Sequence, residues 1–363
     1  MPGGEDSHGD GEKPKVSIVI INFNGVKNLF KNISSILSSG YGNFEIIVVD
    51  CLTKDIGEKL RERFGDPRIK VVHFEKDIGA AASHNVGALV SDPSSKYLVF
   101  MDDDIVVTTG WLDRLVDSIE SDPRIGVVQA KLVSMREPEK MDHLGLALDM
   151  LGTWYTAYGL NVDAFSKPMY VFAASSATLI TRRDVYFEVG GFDWDYFIYD
   201  DDTDYSWRVR LAGYEVKYEP GAVVYHKGGL VGGLRQDKLF YGFRNRLTNL
   251  VKNLSAWNLI VQFPLTLLFG FVNIFFLAIT GRYRETAAYT LATLDVLRRW
   301  RSIAEQRGRI QSSRRVSDEE LKRRGFLRRS IYATVHMSRL LLIEYVKSHP
   351  VLREKLYKRF TSA

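Results

Sequence analysis

The chain has 363 residues, 45% hydrophobic and 26% charged, a globular composition too long for one minimal domain. Its one cysteine, Cys51, excludes an internal disulfide and a cysteine-built zinc cluster, and it fits a reducing compartment. The net charge of +5 hides an asymmetry: residues 281–363 hold 20 Lys and Arg against 8 Asp and Glu, a net of +12, whereas residues 1–280 hold 29 against 36, a net of −7. A basic end on an acidic body is drawn to a polyanion, either nucleic acid or an anionic membrane surface.

Residues 1–14 are glycine-rich and charged and lack the apolar centre of a signal peptide, so a disordered lead-in is expected there. Val16–Ile21 reads as a buried strand ending in the turn residues Asn22–Gly25, and Leu29–Leu37 has helical spacing. Phe44–Val49, which ends in Asp50, and Ile69–Phe74 are further strands, each followed by a helix-compatible stretch. That βαβ rhythm predicts an α/β fold with a doubly wound, mostly parallel sheet. No Gly-x-Gly-x-x-Gly follows the first strand, which counts against a dinucleotide-binding dehydrogenase. Gly79–Gly87 is built of small residues, suited either to close approach by a ligand or to a helix packed tightly on the sheet.

Tyr97–Met101 is an apolar run that stops at Asp102, Asp103 and Asp104. Ligands gather beyond the carboxyl ends of such strands. In extended backbone Asp102 and Asp104 point one way and Asp103 the other. The resulting Asp-x-Asp pair suits Mg²⁺ or Mn²⁺ carrying phosphate; the alternative is a solvated acidic turn. Trp111–Ile119 is an amphipathic helix and Gly126–Leu132 a strand, while His143 and Trp154 stand in a weakly patterned stretch and read as core or loop.

An aromatic loop, Phe192–Tyr199, leads to a second acidic cluster, Asp200-Asp201-Asp202-Thr203-Asp204, just ahead of Trp207. These acids either cap a helix or place one carboxylate in a cleft as a general base. His226 ends a strand beside the glycine-rich Lys227–Gly233, a candidate lid, and Arg244 offers a cationic phosphate contact.

Taken together these residues resemble a family-2 glycosyltransferase with the GT-A fold, over about Lys15 to Leu250. The resemblance is carried by Val16–Gly25, Glu45–Asp50, Gly79–Gly87, Phe100–Asp104, Gly190–Asp193, Tyr199–Arg208, Gly213–His226 and Arg244–Asn245. It implies a nucleotide-sugar donor held by Ile21, Phe23, Asp50, Gly79, Asn85, Asp102 and Asp103. It also implies a Mn²⁺ or Mg²⁺ ion on Asp104, His226 and Asp102, and Asp202 as catalytic base. Asp201, Asp204 and Trp207 are expected near the acceptor. Two departures, Asp201 for the usual Glu and Cys51-Leu52 for the usual Asn and small residues, bear on which nucleotide binds. GDP-mannose is the first expectation and a UDP-sugar the second. One direct displacement inverts the anomeric centre, and no motif nominates a second nucleophile. A base favours a hydroxyl acceptor over a lipid phosphate, which is already an anion.

Ala256–Thr280 carries no formal charge and is long enough to span a bilayer, although Pro264 and Gly270 interrupt it. With Thr286–Leu297 it suggests a re-entrant hairpin or two spans within 251–300, followed by basic amphipathic surface helices over 301–363, with Phe326–Val346 in the headgroup plane. Arg298-Arg299-Trp300 is a partial echo of the Gln-x-x-Arg-Trp motif in the cellulose-synthase arrangement. The expected setting is the cytoplasmic face of the cell membrane, with anionic lipid and a polyprenyl-linked glycan as partners. The apolar stretch before the basic tail speaks against nucleic acid. The competing class is a non-catalytic nucleotide-sugar-binding membrane protein.

Overall fold

A computed structural model describes residues 13–228 and 236–336, so most of the lead-in, residues 229–233 of the candidate lid and residues 337–363 lie outside the described residues. The chain opens with β1 (Val16–Phe23), α1 (Lys27–Leu37), β2 (Phe44–Cys51), α2 (Ile56–Arg63), β3 (Ile69–Phe74), α3 (Ala80–Val90) and β4 (Tyr97–Asp102). Strands β4, β1, β2 and β3 pair side by side in parallel. Val16 to Ile20 are buried because helices cover both faces of the sheet. Leu29, Ile33 and Ile36 form the inward stripe of α1.

The second half follows as β5 (Ile105–Val107), α4 (Trp111–Glu120), β6 (Ile125–Ser134), β7 (Met141–His143), β8 (Gly145–Leu148), β9 (Trp154–Thr156), β10 (Met169–Tyr170), β11 (Thr178–Arg182), α5 (Arg183–Glu188), α6 (Asp201–Leu211) and β12 (Glu215–His226). β11 runs antiparallel between β4 and β6, and β12 lies parallel to β6, giving the order β10-β12-β6-β11-β4-β1-β2-β3. This is the doubly wound, mixed sheet that the sequence predicts. The weakly patterned stretch resolves into the short strands β7–β10, whose brevity hides any clear alternation.

Helices α7 (Gln236–Asn253), α8 (Ala256–Ile279), α9 (Tyr283–Arg298), α10 (Trp300–Ser312) and α11 (Asp318–Arg323) complete the described chain. Phe243 and Leu247 of α7 pack with Ala292 and Val296 of α9 and Ile303 of α10. Among the described residues, α8 is the one helix long and apolar enough to cross a membrane. α9 has 16 residues, about 24 Å of helix, short of the roughly 30 Å of bilayer hydrocarbon. Part of the segment expected as a membrane-surface arm, around Leu321–Leu327, touches the sheet domain. Leu321, Phe326 and Leu327 join Trp207, Leu211 and Phe172 in one apolar cluster, so these residues pack onto the sheet domain.

Candidate active site

Three elements bring the first carboxylate cluster together. The β4–β1 register sets Asp102 beside Ile21, and the antiparallel β5–β12 pairing sets His226 opposite Ile105. His226 Nε2 thereby lies 3.1 Å from Asp104 Oδ1 and 3.7 Å from Asp102 Oδ2. One ligand atom from each of Asp102, Asp104 and His226 falls within 4.8 Å of the others. Nδ1–H of His226 donates to Asp142 Oδ2 at 2.6 Å, which turns Nε2 toward the two aspartates. Two carboxylates and an imidazole nitrogen fit a Mn²⁺ or Mg²⁺ ion.

The electrostatics show a site short of positive charge. Burial raises Asp102, the His226 charge pulls it back, and Asp104, Asp202 and Asp142 push it up again, to about 6. Burial and the charges of Asp104 and Asp102 raise Asp103 to about 7. Burial alone would lower His226, but its bonds to Asp104 and Asp142 and the charge of Asp102 carry it up to about 11. A cation among these groups relieves the same repulsion.

The second cluster meets the first through the turn before β11. Ser176 N–H donates to Asp202 Oδ2 at 3.3 Å, and the next carbonyl, Ala177, accepts from Asp102 N–H at 3.2 Å. Thr203 N–H donates to Asp202 Oδ1 at 2.7 Å. Burial raises the Asp202 carboxyl against these bonds. Asp201 is more deeply buried, one of its oxygens has no partner, and burial with the Asp202 charge raises it strongly. Asp200 stands at the N-cap of α6 yet makes no capping bond, so the capping explanation fails for it. It accepts instead from Trp154 Nε1 at 3.1 Å.

Several expected contacts are spent inside the fold. Asp204 is fully buried and pairs with Arg208 at 2.8 Å and Lys252 at 2.9 Å, so it braces α6 against α7 rather than facing an acceptor. Trp207 is fully buried against Phe172, because its helix face looks into the core. Asn85 commits its amide to Phe192 N–H and C=O and to Tyr186, and is buried beneath the aromatic loop. Gly79 has φ +83, and a Cβ there would stand 2.5 Å from the Phe197 carbonyl oxygen. The Phe197 carbonyl takes up Ala80 N–H at 2.6 Å, so the start of α3 is closed by protein. Asp50 is also fully buried, accepting from Asn22, from Thr53 N–H at 3.1 Å and from His73 at 2.7 Å. Phe23 is exposed and Ile21 half-buried at the strand edge. Arg244 donates to the Asp195 and Tyr196 carbonyls at 2.9 and 2.8 Å and so holds the aromatic loop.

Sequence reasoning missed Asp142, Ser176, His73 and Lys252. None sits in a local pattern, since each is recruited across more than twenty residues. The run Phe197, Tyr199 and Asp200 at φ 60, 66 and 58 was also unforeseen. Side chains held in the left-handed region cost energy and concentrate at functional sites.

The sequence model described as Glycosyl transferase family 2 matches residues 17–187. Over that segment the chain is similar to glycosyltransferase family 2. The pre-mycofactocin glycosyltransferase of Mycobacterium tuberculosis is 29% identical over 162 residues, 44% of this chain and 32% of that one. The glucosyl-dolichyl phosphate glucuronosyltransferase of Haloferax volcanii is 24% identical over 186 residues, 49% of this chain and 56% of that one. The chain thus spans well under two thirds of these curated relatives, and 24% of a further one. The crystal structure of GalNAc-T7 with UDP, GalNAc and Mn²⁺ matches with a TM-score of 0.56 and 18% identity, over 67% of this chain and 48% of that one. At that identity the likeness is one of fold.

Proposed function

We propose that residues 15–250 of this chain act as a family-2 glycosyltransferase, moving a hexose from a nucleotide donor to a hydroxyl of a polyprenyl-linked glycan, in one inverting displacement with Mn²⁺ or Mg²⁺. GDP-mannose is the first donor to try and UDP-sugars the second. The observation that carries the reading is the meeting of Asp202 and the Asp102–Asp104–His226 group across Ser176–Ala177.

Asp104, His226 and Asp102 are the residues that would hold the cation. When bound there, it supplies Lewis-acid relief for the charge that builds on the departing diphosphate. Asp202 accepts the proton of the attacking hydroxyl, and its raised proton affinity suits that task. Ser176 and Thr203 orient its two oxygens. The aromatic loop, fixed by Arg244 and Asn245, shapes the cleft wall. The haloarchaeal relative's name supports a lipid-linked acceptor, and α8 supports a place at the membrane. Nucleotide sugars are cytosolic, so the catalytic domain is assigned to the cytoplasmic face.

The test is transfer from GDP-mannose and a panel of UDP-sugars, with Mn²⁺ and a polyprenyl-linked sugar, by wild type and Asp202→Asn. Loss of about 10²- to 10⁴-fold in turnover with donor binding retained is the expected result. Full turnover by the variant refutes the role of Asp202. Failure of the wild type to turn over any donor, even by Mn²⁺-dependent hydrolysis, favours the non-catalytic binding protein.

A further inference from the structure

We infer that α8 and α9 lie flat in one leaflet of an anionic bilayer, with their outer faces among the acyl chains, and that α8 does not cross the membrane. The inference is independent of the proposed chemistry. It starts from an inverted helix. The buried positions of α8 include Asn258, Gln262, Thr266 and Gly270, which recur every four residues and so share one side. This polar and small side faces the protein. The opposite side carries Trp257, Leu268, Phe271, Phe275 and Ile279, each 58–73% exposed. Leu291, Leu294 and Leu297 extend the apolar surface along α9. Water is the wrong solvent for a continuous face of this kind.

Attachment to α7 decides between lying and crossing. A Cβ at Gly270 would fall 2.5 Å from the Phe243 ring, so α8 rests directly on α7 there. The next residue, Arg244, holds the Asp195 and Tyr196 carbonyls of the aromatic loop. Gly270 lies fourteen residues beyond Ala256, about 21 Å along the helix. A crossing α8 would therefore pull the Asp195, Asp295 and Arg299 side chains, 44%, 22% and 18% exposed to water, into hydrocarbon, where charged groups that lose their remaining water are costly. A helix lying in the interface buries only its outer face, to about 5–10 Å.

The rim of the patch is complementary to a lipid surface and favours it over other occupants. Arg284, Arg298 and Arg301 are exposed around it and meet anionic headgroups. Trp257, Tyr283 and Trp300 are exposed at helix ends, where aromatic rings favour the headgroup level. A lipid-linked acceptor in the same leaflet then approaches the protein by lateral diffusion.

The 363-residue protein carrying Cys51→Ser receives single cysteines by Ala256→Cys, at the start of α8, or Arg284→Cys, just beyond its end in the first turn of α9. Sealed inverted and right-side-out membrane vesicles are treated with an impermeant maleimide. Both cysteines reacting in the same vesicle orientation is the expected result; one in each orientation means a crossing helix and overturns the inference. In parallel, purified protein is floated with phosphatidylcholine vesicles with and without phosphatidylglycerol. Phosphatidylglycerol should strengthen binding, and Phe271→Glu with Phe275→Glu should weaken it at least about tenfold while Mn²⁺-dependent donor hydrolysis persists. Flotation of the double variant like wild type overturns the inference. So does wild type that stays soluble without detergent, as a monomer whose 337–363 segment covers the face or as a dimer of two such faces.

Discussion

Asp102 and Asp202, a hundred residues apart in the chain, are held to adjacent residues of one turn, Asp202 through Ser176 N–H and Asp102 through the Ala177 carbonyl. The arrangement makes the two acidic clusters one electrostatic unit, and the Asp202 charge is among the causes that raise Asp102. Like charges so placed are stable together only with protons or a cation among them.

Removing the cation should therefore be visible without any assay of transfer. Saturating Mn²⁺ at about a hundred times its Kd should stabilise the protein by about 2.7 kcal/mol over an EDTA-treated sample. Asp104→Asn should remove most of that gain. Differential scanning fluorimetry reads both, and an Asp104→Asn protein still stabilised like wild type would remove Asp104 from the ligand set.

Asp142 should act through His226. Asp142→Ala frees the imidazole to rotate and removes the acceptor that turns Nε2 toward Asp104. Mn²⁺ affinity is expected to fall about 10- to 100-fold, as measured by calorimetric titration, with the fold intact by circular dichroism. Unchanged affinity would mean that Asp142 is merely a buried neighbour.

Gly79 should tolerate no side chain. Gly79→Ala introduces a methyl group against the Phe197 carbonyl at a φ of +83. A cost of about 1–3 kcal/mol is expected, together with displacement of the aromatic loop. Urea unfolding gives the first quantity, and Phe197–Tyr241 stacking, seen at 5.1 Å here, can be followed by crystallography of the variant. A neutral substitution would show that α3 and the loop slide freely.

Asp204 should behave as a brace and not as an acceptor contact. Burial alone would raise its carboxyl, but Arg208 and Lys252 outweigh burial and hold it at about 2, below its ordinary 3.8. A depressed acid contributes its stability above about pH 4 and loses it as pH falls through 2, a change of about 2 kcal/mol. Asp204→Asn should flatten that acid slope. It should also cost about 3–5 kcal/mol at pH 7, because Arg208 and Lys252 stay buried without their counter-charge. Denaturant titrations at pH 7 and pH 3 test both; a variant as stable as wild type at pH 7 would contradict the bracing role.

The sequence by itself determined the parts that depend on neighbours in the chain. The apolar runs at Val16–Ile21, Phe44–Val49 and Tyr97–Met101 specified parallel strands, and the acids after the last of them marked the ligand end of the sheet. The long uncharged stretch after Ala256 likewise announced a helix with an apolar surface. Only the tertiary structure decided which polar residues were already spent. Asn85, Asp50, Arg244 and Asp204 look available along the chain, yet Phe192, His73, Tyr196 and Lys252 consume their hydrogen bonds. It also decided that His226 leans on Asp142, and that α8 turns its polar side inward. The physical reason is common to all of these. A strand or helix is written in a repeating local pattern of burial, but a hydrogen-bond partner is set by strand register and helix packing, which join residues that no local pattern connects.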